Sequence, residues 1–285
     1  MPTNMNRLFT ILCMVSLLGF HTSCNNSATN SKSPNTETKT RVIDPKVQNL
    51  IQQARKGDIE AYNSLALCYR NGDGVEKSWL NMFCMYVIYY QKIGKDIEDI
   101  TELFDEGHPF RLMCEIFNSP TYNDEVKAIV AQLKQVLPAE AKAIEAAQKA
   151  FSMTKGPASA MKIVREAEDE GSELAVIFQT IYYDRVGSQT EQEEFLTRTA
   201  EKYPVFNLLL GDIYAEKYDD SEDFSYISKA IEYYYKADAY GMLIPEFADK
   251  LWKIYDYFGH RGELEYDEQE AERLKILATR TYPTE

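Results

Sequence analysis

Residues 57–94, GDIEAYNSLALCYRNGDGVEKSWLNMFCMYVIYYQKIG, decide the fold. Ala61, Leu65 and Tyr69 recur at every fourth position, which sets them on one side of a helix spanning about 58–70. Gly72 and Gly74 interrupt that run as a short loop, and Ser78 is placed to cap a second helix carrying Trp79, Phe83, Val87 and Tyr90 as far as Gly94. Two helices joined by so short a loop fold back on one another. A weaker echo lies at 203–241, where FNLLLGDIYAEK precedes AIEYYYKADAYG.

In this order the residues resemble a Sel1-like repeat, a relative of the tetratricopeptide repeat. Gly57, Asp58, Ala61, Leu65, Tyr69, Gly72, Gly74, Val75 and Gly94 stand where that pattern wants them. Ala66 replaces the family glycine, and Phe83 and Cys84 stand where alanines are commoner. The resemblance covers one unit closely. It implies an all-α superhelix, an α-solenoid of antiparallel helix pairs, whose concave face binds other proteins.

Outward from this unit the chain remains helical in pattern. Asp44-Pro45 opens a leading helix with Val47, Leu50, Ile51 and Ala54 on one face. The spacing apolar, three others, apolar, three others, aromatic recurs at Pro109-Met113-Phe117, Leu174-Phe178-Tyr182, Phe206-Leu210-Tyr214 and Phe247-Leu251-Tyr255. Its closing aromatics lie 48, 65, 32 and 41 residues apart, so the units are degenerate or separated by insertions. Helices are expected over 124–136, 139–155 and 157–170, punctuated by Pro138, Gly156, Pro157 and Gly171. A charged helix over 267–279, with Ala271, Leu274, Ile276 and Leu277 as its apolar side, is expected to cap the stack. No alternating run bounded by turn residues calls for a strand.

The amino-terminal end has a different chemistry. Arg7, an apolar run from Leu8 to Phe20 and a small-residue approach to Cys24 read as a signal peptide over 1–23. At 1.5 Å per residue that run covers about 20 Å, short of a bilayer core of about 30 Å. HTSC before position 25 resembles the lipobox of bacterial lipoproteins, of a loose form similar to that of Bacteroidota, although His21 departs from the usual aliphatic residue. The resemblance implies lipidation at Cys24. Residues 24–43, rich in Asn, Ser and Thr, are expected to be a disordered tether, leaving 44–285 as the helical domain. Asn25 offers no inner-membrane retention signal of the enteric type, and no acidic residue follows closely to direct surface export. The expected location is the outer membrane, facing the periplasm.

Composition narrows the partners. The chain carries 31 Lys+Arg against 45 Asp+Glu, a net charge of -14. Such a surface repels phosphate backbones and anionic headgroups, so no nucleic acid is expected and membrane contact is expected only through the lipid anchor. No GxSxG, P-loop, dinucleotide fingerprint, HExxH or CxxC occurs, and no catalytic, metal-binding or cofactor residue is assigned. Cys68 and Cys84 sit at mirrored distances from the loop and read as buried thiols, with a bond between them the alternative; Cys114 has no evident mate. His108 and His260 read as solvated loop histidines, and the DDSED stretch at 219–223 as a solvated loop.

Tyrosine is the abundant binding chemistry, with 20 in the chain. Consecutive helical residues point about 100° apart, so Tyr233, Tyr234 and Tyr235 cannot all face one neighbour. Tyr233, Tyr235, Tyr255 and Tyr257 are therefore the candidate partner-binding residues, since a ring offers apolar area and its hydroxyl a hydrogen bond. The expected function is a non-catalytic, membrane-tethered interaction or scaffold module of the bacterial envelope, its partner an envelope protein or peptide. A glycan- or peptide-capturing lipoprotein and an envelope enzyme with its site in 95–200 are the alternatives.

Overall fold

Asp44 opens the first helix as the sequence requires, its carboxylate accepting the Lys46 N–H at 2.8 Å with Pro45 in the first turn. The structure is a computed structural model, and it describes residues 43–95, 100, 102–118, 124–152 and 157–279. Cys24, the signal peptide, all of the tether but Ile43, and the Cys114 side chain lie outside the described residues. Thirteen α-helices and no strand are found among those residues, so the fold is all-α.

The first unit forms α1 (Pro45–Arg55), α2 (Ile59–Asn71) and α3 (Trp79–Ile93). Asp58 and Ser78 cap α2 and α3 by accepting from the Glu60 and Asn81 N–H groups, and Gly72 and Gly94 end them in the left-handed conformation. Ala61, Leu65 and Tyr69 are buried on α2, as their spacing demands. Helix α3 is buried on nearly every side, from Leu80 to Tyr90. Cys68 and Cys84 are buried free thiols, and burial pushes the Cys84 thiol up to about 12.

The middle of the chain forms α4 (Pro109–Asn118), α5 (Asp124–Val136), α6 (Pro138–Ser152), α7 (Pro157–Asp169), α8 (Glu173–Val186) and α9 (Gln189–Ala200). Helix α6 begins at Pro138 itself, since proline suits a first helical position. Helix α9 has no counterpart in the sequence expectations above, although its signal was present. Ser188 and Glu191 form a capping box, each side chain bonded to the other's backbone N–H. His108 is half-buried rather than solvated, packing on Phe104 at 4.7 Å and accepting the Phe110 N–H at the start of α4.

The last helices are α10 (Phe206–Ser221), α11 (Phe224–Asp238), α12 (Pro245–His260) and α13 (Glu268–Ala278). Asp219 and Asp220 belong to α10 and not to a loop, and Glu222 takes the left-handed position that a glycine would ordinarily fill, at φ 56°. His260 likewise sits in the last turn of α12. Gly211 is required by a close approach of helices. A Cβ there would come within 2.5 Å of the Tyr234 ring, which packs against α10 and is fully buried.

The closest backbone packing joins helices adjacent or next-adjacent in the chain: α2 with α3, α6 with α7, α10 with α11, α12 with α13. Side chains then bring the two ends of the chain together. Asp238 at the end of α11 is 1% exposed and accepts from Arg55 of α1 at 3.0 Å and from Arg273 of α13 at 2.9 Å. Arg273 also binds Glu270 at 2.7 Å and the Arg55 carbonyl at 3.1 Å. Burial works to raise the Glu270 pKa, but the Arg273 guanidinium and the Tyr235 hydroxyl outweigh it and hold the carboxyl below its ordinary value. Lys92 of α3 donates to the Ile276, Leu277 and Thr279 carbonyls at 2.8, 2.7 and 2.8 Å, satisfying the carbonyl end of α13. Helix α13 is thus a bridge from the last pair to the first, where the sequence suggested a cap on a free end.

Candidate interaction groove

Three helices near the carboxyl end enclose a cavity of about 520 Å³. Helix α10 supplies one wall through Asp212, Ala215, Glu216, Tyr218 and Asp219, a face spaced by three and four residues. Helix α12 supplies the other through Lys250, Lys253, Ile254, Tyr257 and Phe258, and α11 closes the floor with Ile227 and Tyr234. The floor is apolar and the rim carries charge.

The walls are fixed by a buried network. The Tyr234 hydroxyl donates to Asp212 at 2.5 Å, and the Lys250 ammonium donates to the other oxygen of the same carboxylate at 2.7 Å. Burial pushes the Tyr234 hydroxyl well above its ordinary pKa, and the Asp212 charge adds to that, so it stays a donor. Lys253 is held by Asp249 at 2.6 Å. Tyr218 and Phe258 meet edge to face at 5.4 Å, joining the carboxyl-terminal turns of α10 and α12 at one mouth of the groove.

Of the four tyrosines picked out by sequence, only Tyr257 lines this groove, and it is 55% exposed. Its hydroxyl accepts from Arg261 at 2.6 Å. Tyr233 and Tyr235 are half-buried on opposite sides of the fully buried Tyr234, as a 100° turn per residue requires. Tyr233 stacks on Tyr214 at 5.4 Å, while Tyr235 bonds Glu270. Tyr255 is withdrawn from any partner. It is 8% exposed, and its hydroxyl donates to the Glu265 carbonyl at 3.0 Å and accepts the Asp267 N–H at 2.8 Å, pinning the turn before α13. Asp212, Lys250, Ile254 and Phe258 were not singled out from sequence. Their helical spacing was legible, but nothing local tells which face of α10 will meet which face of α12.

A second cluster joins two buried carboxylates to the starts of two helices. Glu140 of α6 is 4% exposed and accepts from the Glu173 N–H at 2.9 Å, the Leu174 N–H at 3.0 Å, the Ser172 hydroxyl at 2.5 Å and the Trp79 indole at 3.0 Å. Glu173 of α8 in turn accepts the Leu80 N–H at 2.6 Å. Each carboxylate therefore fills the orphan donors at the start of another helix, α6 capping α8 and α8 capping α3. Neither lines the cavity. Among the described residues no group of three or more His, Cys, Asp and Glu is placed to hold a metal ion.

Burial pushes the Glu173 carboxyl up to about 7, the Leu80 and Ser78 hydrogen bonds oppose it, and the Glu140 charge adds to the rise. An acid whose folded pKa is raised binds its proton more tightly when folded. Its favourable contribution is complete below the unfolded value near 4.5 and is lost as pH rises to about 7. Over that window about 3 kcal/mol disappears at 1.36 kcal/mol per unit. Urea denaturation at pH 5 and pH 8 should show wild type losing about that much more stability than Glu173→Gln across the same interval. Parallel pH profiles for the two proteins would contradict this assignment.

No helix among the described residues is long and apolar enough to cross a membrane. Comparison of the chain with models of protein families, with curated proteins and with solved structures found no match.

Proposed function

We propose that this protein is a non-catalytic interaction module of the bacterial cell envelope, held to the outer membrane by a lipid on Cys24 and facing the periplasm. The fold is read as a solenoid of antiparallel helix pairs, resembling Sel1-like and tetratricopeptide repeat proteins. Packing between helices close in sequence supports that reading. Contacts of Arg55 and Lys92 with the last helices give the array a closed form rather than two free ends.

The observation that carries the interaction reading is the groove between α10 and α12, with its apolar floor, charged rim and exposed Tyr257. A concave apolar slot with a few fixed polar groups suits a side-chain-bearing peptide segment. Of the buried carboxylates, Glu140 and Glu173 serve helix N-termini, Asp238 holds Arg55 and Arg273, and Asp212 holds Tyr234 and Lys250. The tryptophans lend little to glycan capture, because the Trp79 indole donates to Glu140 and Lys275 lies over the Trp252 ring at 5.3 Å.

Tyr257→Ala tests the reading, since an exposed side chain is removed without opening the core. Affinity capture from envelope extracts should recover a defined protein partner with the wild-type chain, and recovery should fall about tenfold with the variant. Equal recovery by both proteins would remove the groove from the interaction.

A further inference from the structure

The groove carries a charge preference that the interaction reading does not by itself require. We infer that it accepts a basic amphipathic segment of the partner protein, whose cationic side chains lie at the Asp219 end and whose apolar side chains cover Tyr218, Ile254 and Tyr257. This inference rests on the interaction reading above and adds the chemistry of the occupant.

Three features favour a cation at the mouth of the groove. First, each lysine of the rim already has a carboxylate beside it, Lys250 with Asp212 at 2.7 Å and Lys253 with Asp249 at 2.6 Å. Asp219 and Glu216 stand exposed on the opposite wall, and Asp219 forms no ion pair among the described residues. Second, α10 and α12 both end at this mouth, with Tyr218 and Phe258 in contact there at 5.4 Å. Two helices thus direct the negative ends of their dipoles toward the same opening. Helix α11 begins at the same end, but the Asp223 carboxylate caps it, accepting the Ser225 N–H at 2.9 Å. Arg261, one turn beyond Tyr257, pairs with Glu263 at 2.8 Å and donates to the Tyr257 hydroxyl. Third, the whole chain bears a net charge of -14, which draws cations to any cleft that excludes water.

An apolar slot with a negative mouth selects a segment in which Lys or Arg follows a hydrophobic stripe. Its aliphatic stem packs along the half-buried Tyr218 ring and the exposed Tyr257 ring while its charge stays at the carboxylates. An acidic segment of the same apolar content meets repulsion at that end.

The test uses the full chain and three synthetic amphipathic peptides of equal apolar content, one basic, one acidic and one uncharged, with binding read by fluorescence anisotropy. The basic peptide should bind at least about tenfold more tightly than the acidic one, with affinity falling as salt is raised. In the doubly substituted Glu216→Gln, Asp219→Asn protein, whose fold circular dichroism should show unchanged, that preference should weaken about fivefold. Equal or tighter binding of the acidic or uncharged peptide, lost in Tyr257→Ala, would overturn the charge preference and leave the interaction reading standing. Binding of no peptide of any class would overturn both.

Discussion

Asp238→Ala should lower the stability of the protein by about 3–5 kcal/mol, the range for removing one partner of a buried ion pair. Asp238 is 1% exposed, and its two oxygens receive Arg55 and Arg273 from the first and last helices. Without it two guanidiniums remain side by side, Arg273 only 18% exposed, and repel one another across the point where the chain ends meet. For a chain of this size the melting temperature should fall by roughly 10 °C. Arg55→Ala alone should do less, because its side chain is 31% exposed and Glu270 still balances Arg273. A double-mutant cycle on Arg55 and Asp238, read by urea denaturation, isolates the coupling between the ends. A loss under about 1 kcal/mol in Asp238→Ala would mean that the ends are held by apolar packing and not by this cluster.

Glu140→Ala should destabilise by a similar amount, about 3–4 kcal/mol, for a different reason. The carboxylate satisfies two backbone N–H groups, a hydroxyl and an indole, three of them in the buried start of α8. Each buried donor left without a partner costs about 1–3 kcal/mol, partly offset by relief of the repulsion between Glu140 and Glu173. Trp79 supplies a local readout, since its indole N–H loses its acceptor and its fluorescence should change together with the unfolding midpoint. Glu140→Gln should recover part of the loss, because one amide oxygen can still accept. An unchanged midpoint in Glu140→Ala would show that α8 needs no partner from α6.

Both residues illustrate where local reading stops. In sequence Glu140 resembles an ordinary dipole-compensating acid in a first turn, whereas Asp238, an acid in a last turn, opposes its helix dipole and gives no sign of the guanidiniums that balance it. Their burial follows from neighbours 33 and 35 residues away, or 183 in the case of Arg55, and no window of sequence contains that information. The candidate site divides in the same way. Tyr257 was legible as an aromatic on a charged helix, and Tyr234 as the buried member of a tyrosine triplet. Tyr255 lies on the Phe247-Leu251-Tyr255 stripe and is buried with it, but that spacing is silent about the turn its hydroxyl holds.

The helices and most of their limits are legible locally, because caps, left-handed glycines and four-residue spacing act within a turn or two of the residues that carry them. Legible in the same way are the helical pair at 57–94 and the burial of its small and aromatic face. Only the tertiary structure decided that α13 returns to α1 and α3, that buried carboxylates cap helices across the chain, and that α10 and α12 leave a groove between them. Those outcomes depend on which faces meet, and that choice is made by the packing of the whole chain, where shape and buried polar contacts between residues far apart in sequence act together.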